Sequence, residues 1–130
     1  MKKYFLVSLS LMMGFFMLTA AFAADVDKNA IQNNVDQIAE ALNGGEKAED
    51  HKDAANKSPY VFIMEKDGKM LVHPALEGEN LKEKAEPVYN ALMKATEEGT
   101  WVDYEWQGKQ KHSYVKKTND DLIVGSGYSE

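Results

Sequence analysis

The side chains best suited to hold a small anion lie in two aromatic-rich stretches. "WVDYEWQGKQKHSY" (101–114) carries Tyr104, Trp106, Lys111, Ser113 and Tyr114, and "YVFIMEKDGKMLVHP" (60–74) carries Tyr60, Phe62 and His73. A lysine ammonium and tyrosine hydroxyls together satisfy a carboxylate, each charge-assisted hydrogen bond contributing about 1.5–3 kcal/mol. Trp106 and Phe62 add an apolar wall that limits the ligand's tail. All 15 basic residues are lysine, so bidentate guanidinium recognition is ruled out. A bound anion must be held by lysine, histidine, hydroxyls or backbone N–H groups. A ligand the size of acetate gains at most about 6 kcal/mol at the ceiling of ~1.5 kcal/mol per heavy atom. That corresponds to a dissociation constant of tens of micromolar at best, which suits an abundant metabolite. Plainer roles compete. Lys111 can run its stem along Trp106 with its head in water, His73 can be a satisfied strand-end residue before Pro74, and the aromatics can be core and edge packing.

Catalytic patterns are weak by comparison. The chain has no cysteine, and "GSGY" is not a G-x-S-x-G elbow because Gly125 directly precedes Ser126. His51, His73 and His112 lack helix-spaced metal geometry. Asp103 and Glu105 alternate on one strand face but read as an exposed edge. The cluster of Glu46, Glu49, Asp50, His51 and Asp53 matches no metal-loop spacing and reads as a solvated charge run. No enzyme activity, cofactor or metal is expected.

The elements that must position these residues follow from periodicity. Ile31, Val35, Ile38, Ala39 and Leu42 fall on one helical stripe, with Asp25 or Asp27 as a start cap and Gly44-Gly45 as a stop. Residues 46–58 either extend that helix or form a solvated loop. Asp67-Gly68 predicts a two-residue hairpin turn. It pairs Met64 with Leu71 and Phe62 with His73, placing Tyr60, Phe62, Met64, Leu71 and His73 on one face. Val61, Ile63, Met70 and Val72 take the other. Residues 75–99 begin with a turn around Gly78 and continue as a helix through Ala85, Val88, Tyr89, Leu92, Met93 and Thr96, stopping at Gly99. A turn at Gly108-Lys109 sets Trp106 opposite Lys111, Tyr104 opposite Ser113 and Val102 opposite Val115. Tyr114 falls on the other face with Trp101, Asp103, Glu105, His112 and Lys116. "DLIVGSGYSE" is a final strand whose Gly125 and Gly127 invite the close approach of a backbone, ring or ligand. Helices set against an antiparallel sheet make an α+β fold.

The 130 residues suffice for one domain. "MKK", an apolar run and Ala21-Phe22-Ala23 read as a secretory signal peptide over 1–23, the alternative being a retained membrane anchor. Residues 24–57 are then the leading helix and polar connector, 58–130 the sheet region, and 24–130 one domain. The leader holds Lys2 and Lys3 and no acid, so the formal charge of −6 becomes −8 without it. Such an acidic surface argues against nucleic acid and anionic membranes as partners. An exported chain without cysteine relies on its core alone.

In order and spacing, "YVFIMEKDGKMLVHP", "LEGENL", "GTWVDYEW", "KHSYVKK" and "DLIVGSGY" resemble the single-Cache domains of the second type, extracytoplasmic sensor modules of bacterial chemoreceptors and sensor kinases. The resemblance covers about residues 58–128. It implies a PAS-like fold with a five-stranded antiparallel sheet, a long helix on one side and a small-ligand pocket on the other. The pocket would be roofed by residues 74–99, with short carboxylates among the family's ligands. Tyr114 matches a conspicuous position of the family's "SYV" piece, although alternation puts it on the opposite face. The second hairpin is shorter than in many members, and no kinase or methyl-accepting segment is read after it. The expected function is an exported soluble binding module for a small metabolite, in the periplasm or secreted, serving a separate membrane receptor or kinase. The alternative is a periplasmic protein-interaction module that keeps the fold without a ligand.

Overall fold

The computed structural model describes residues 26–130; the expected signal segment lies outside them. Helix α1 (Lys28–Asn43) starts where Asp27 Oδ1 accepts from the Ala30 N–H at 3.0 Å. It ends in a Schellman turn, Glu46 N–H donating to Ala41 O and Gly45 N–H to Leu42 O, with Gly45 at φ +109°. Residues 46–58 neither prolong α1 nor stay irregular. Ala48–Asn56 forms a separate 3-10 helix, and its Ala54 and Ala55 are buried. Small alanines there fit the tight approach of this helix to the sheet.

Strands β1 (Phe62–Met64), β2 (Met70–Val72), β3 (Thr100–Trp106), β4 (Lys109–Lys117) and β5 (Ile123–Ser129) form one antiparallel sheet in the order β2-β1-β5-β4-β3. Between β2 and β3 lie α2 (Leu81–Lys84) and α3 (Glu86–Leu92), separated at Ala85. Asn80 caps α2 and Pro87 sits in the first turn of α3, as its fixed φ favours. The helix ends at Leu92, short of the expected stop at Gly99. Gly99 has another task. It adopts φ +95°, and a side chain there would collide with the Tyr114 ring.

Both hairpin turns differ from expectation. The first loop has three residues, Lys66-Asp67-Gly68, closed by the Glu65 N–H donating to Lys69 O at 2.8 Å, with Gly68 at φ +104°. Met64 therefore pairs with Met70, not Leu71, and a bulge restores Ile63 opposite Val72. The bulge moves Met70 onto the Phe62–Met64 face, and Leu71 packs against the opposite cluster. The second turn is Gln107-Gly108 (φ 53° and 81°), not Gly108-Lys109. A two-residue turn with φ > 0 at both positions favours glycine second. The pairs become Trp106–Lys109, Tyr104–Lys111 and Val102–Ser113. This slip moves the pairing by two residues along the partner strand, an even number, so every side chain keeps its predicted face.

The sheet is buried on both sides. On one, Ile31, Val35, Ala39 and Leu42 of α1 pack on Ile63, Val72, Tyr114 and Val124. On the other, Leu81, Val88 and Leu92 pack on Phe62, Met64, Met70 and Val115. Double coverage explains why both faces of the first hairpin are apolar.

Candidate functional site

On the α2–α3 side the layers do not close completely. A cavity with about 300 Å3 of empty space, open to solvent, lies between the sheet and the 74–99 segment. Its enclosed part is narrow, about 20 Å3, near the space one water needs. Tyr60, Phe62, His73, Tyr104, Trp106 and Lys111 line its sheet side. Leu76, Leu81, Val88 and Leu92 form its roof, and Met70 completes the wall.

Lys111 is the central charge. The residue is 8% exposed. Its Nζ donates to the Tyr60 hydroxyl at 2.6 Å and lies 4.9 Å from the Tyr60 ring centroid. Among the described residues, no carboxylate sits within ion-pair distance of it. The ammonium thus does not run past Trp106 into water. It is held inside, with hydrogen-bonding capacity to spare, since an ammonium has three donors.

His73 lines the same cavity and stacks edge-on against Tyr60, ring centroids 5.5 Å apart. Its Nδ1 accepts from the backbone N–H groups of Ala75 (2.9 Å) and Leu76 (3.0 Å). Those two bonds leave the neutral ring's proton on Nε2. Burial, and then the nearby Lys111 charge, lower its pKa to about 4. Tyr104 is pushed up to about 12, by burial first and the neighbouring Tyr60 besides, against the opposing hydrogen bond to Ser113. It remains a neutral hydroxyl, 2.8 Å from Ser113 Oγ. Ser113, fully buried, braces Tyr104 from behind and does not line the cavity.

Tyr114 lies across the sheet. Its ring packs with α1, and its hydroxyl sits 3.1 Å from Glu98 O and 3.3 Å from Asp36 Oδ1. The alternation rule placed it; the family position does not make it a cavity residue here. Met70 and the leucine roof are the lining residues that the strand pattern missed. The first was hidden by the bulge. The roof was visible only as helix periodicity, which says nothing about what the helix covers.

The charge run 46–53 forms no metal cluster among the described residues. His51 Nε2 lies 2.9 Å from a Glu46 carboxylate oxygen. On the α1 face, His112 is clamped between Asp103 and Glu130, both at 2.6 Å, which raises its pKa.

The two histidines impose opposite pH dependences. Between pH 6.5 and about 4 the unfolded chain binds the proton that His73 refuses. Its contribution is complete above pH 6.5 and is lost as pH falls to about 4. The His112 contribution is complete below pH 6.5 and fades as pH rises through its raised folded pKa. An NMR titration of the imidazole protons should show His73 unprotonated at pH 5.5 and His112 protonated there. A His73 midpoint near 6.5 would contradict its pinned, desolvated state.

A five-stranded antiparallel sheet in this order, a long helix on one face and a roofed cavity on the other define a PAS-like ligand-binding fold. The chain belongs to the Cache domain family, whose model matches residues 50–130. Cache domains are extracytoplasmic sensor and ligand-binding modules. Among solved structures the chain is similar to "The ligand binding domain of Mlp24 with asparagine", at 21% identity and a TM-score of 0.41. That match covers 73% of this chain, which spans 35% of the other. No curated protein matches.

Proposed function

We propose that this protein is a small-metabolite binding module whose ligand is a short carboxylate held by Lys111. The buried Lys111 ammonium carries this reading, since it opens onto a cavity with no carboxylate to neutralise it. Such a group is costly unless it meets an anion or strong acceptors. The Tyr60 hydroxyl serves as acceptor when the site is empty, and a carboxylate would join or displace it. The neutral His73 and the Tyr104 hydroxyl supply further donors, and the leucine roof receives the tail. Export rests on the leader-like residues 1–23, and no helix among the described residues is long and apolar enough to cross a membrane. A sensing role in this reading passes to a separate membrane receptor or kinase.

The narrowness of the cavity favours a second reading, a periplasmic interaction module that keeps the fold without a ligand. Thermal unfolding with a panel of short organic acids, amino acids and urea separates the two. A short monocarboxylate at a hundredfold excess over its dissociation constant stabilises the native state by about 2.7 kcal/mol. For a domain near 100 residues that is a rise on the order of 10 °C. A flat response across the panel would favour the interaction module.

A further inference from the structure

We propose that the free edge of β3 is a docking site for an extended, basic segment of a partner protein, which adds to the sheet as a further strand. The proposal is independent of what the cavity holds. The two edges of the sheet differ. At the β2 edge the chain covers itself: the Met70 N–H donates to Glu79 O and the Gly78 N–H to Met70 O, both at 2.8 Å. The β3 edge is longer, seven residues, and among the described residues no backbone group outside β4 bonds to it. The hairpin turn fixes which groups are left over. Trp106 and Lys109 flank the two-residue turn and exchange the bonds that close it. Bonded pairs alternate along an antiparallel ladder, so Thr100, Val102 and Tyr104 also bond toward β4. Trp101, Asp103 and Glu105 then direct their N–H and C=O groups outward, where one more strand can pair with them.

The side chains of this row set the partner's chemistry. Asp103 and Glu105 lie on the α1 side of the sheet, and both are exposed. Asp103 meets His112 at 2.6 Å, yet its side chain stays 64% exposed and open to a second cation. Glu105 has no cation within ion-pair distance among the described residues. Glu130, on the far side of His112, adds a third carboxylate. Lys28 lies over the Trp101 ring at 5.5 Å, at the start of the row, so the open acids are those at 103 and 105. Between them on the cavity side come Val102, Tyr104 and Trp106, the last two half-buried. An added strand thus meets acids at alternate positions on one face and apolar surface on the other. It fits lysine or arginine at i and i+2 with apolar residues between, since opposite charges directly across two strands favour pairing and like charges oppose it. The same rule disfavours a second copy, whose antiparallel β3 would set Asp103 and Glu105 against their own counterparts.

The probe is a capped peptide of about seven residues, with two lysines at alternate positions among valines and threonines. Its titration into the protein, followed by backbone NMR, should give saturable shifts along β3 and slow the exchange of the Trp101, Asp103 and Glu105 amides. The same peptide with glutamate for lysine should not bind. Glu105→Pro removes one outward donor at a position where an edge strand tolerates proline; it should leave the fold intact and abolish peptide binding. Glu105→Lys keeps the edge and reverses its charge. It should weaken the lysine peptide about tenfold and strengthen the glutamate peptide. Equal binding of both peptides, or shifts that avoid β3, would overturn the proposal. Absence of binding would show that the two acids only keep copies apart. Self-association through the same amides without peptide would assign the edge to a second copy instead, and overturn it equally.

Discussion

Replacing Lys111 by methionine is expected to abolish detectable binding of short carboxylates while leaving the fold intact. Removing one partner of a buried, hydrogen-bonded charge pair costs about 2–5 kcal/mol of affinity. From a ceiling of tens of micromolar, that moves the dissociation constant into the millimolar range or beyond. Stability should change little. The variant leaves the Tyr60 hydroxyl without the donor it meets at 2.6 Å, a loss of about 1 kcal/mol. It also removes a charge buried without a carboxylate, which offsets that loss. Methionine has nearly the length and flexibility of the lysine stem, so the wall beside Tyr60 and Trp106 stays filled. Titration calorimetry and thermal unfolding of the same sample read both effects. Propionate binding within a few-fold of the unsubstituted protein would remove Lys111 from the site.

Gly125→Ala should damage stability and binding together. Gly125 pairs with Phe62 on β1 and with Val115 on β4, and the Phe62 ring lies flush over it. An added methyl would sit 2.8 Å or less from two ring carbons. Phe62 is buried in the core and cannot yield outward. The ring must then shift toward the cavity it lines. Overpacking of this kind costs about 1–3 kcal/mol, lowering the melting temperature by about 5–20 °C. The urea midpoint should fall with an unchanged m-value, and carboxylate affinity should fall with it. A second substitution, Phe62→Leu, should recover part of the lost stability, because the two changes share one contact. Additive effects would show that the ring is not the obstacle.

Alternation along the strands carried much of the site. It placed Tyr104, Trp106 and Lys111 on one face and Tyr114 on the other, although the turn was centred one residue too late. The faces survived because the pairing error was even. The first hairpin shows the opposite case. There the loop took one residue more than Asp67-Gly68 suggested, and the single-residue slip exchanged Met70 for Leu71. A bulge of this kind depends on how the loop is held from outside, here by the Leu81 N–H donating to Gly68 O at 2.7 Å. No local pattern encodes that long-range contact. The glycines of β5 were legible as points of close approach, and both are: a ring lies over Gly125, and the β4 backbone crowds Gly127. What the sequence left open was depth. Whether Lys111 ends in water or in the cavity depends on Tyr60, 51 positions away, and on a helical roof whose docking face no periodicity names. The 3-10 helix at 48–56 was hidden for a related reason, since its two buried alanines give too weak a pattern to read.

In the proposed function the Lys111 ammonium binds a carboxylate in the cavity beneath α2 and α3. A crystal structure of the protein grown with saturating propionate tests it most directly. Density for the ligand is expected in this cavity, with a carboxylate oxygen about 2.7–2.9 Å from Lys111 Nζ and the ethyl group against Leu81, Val88 and Leu92. A cavity without propionate, with Lys111 Nζ still donating to Tyr60 alone, would contradict it.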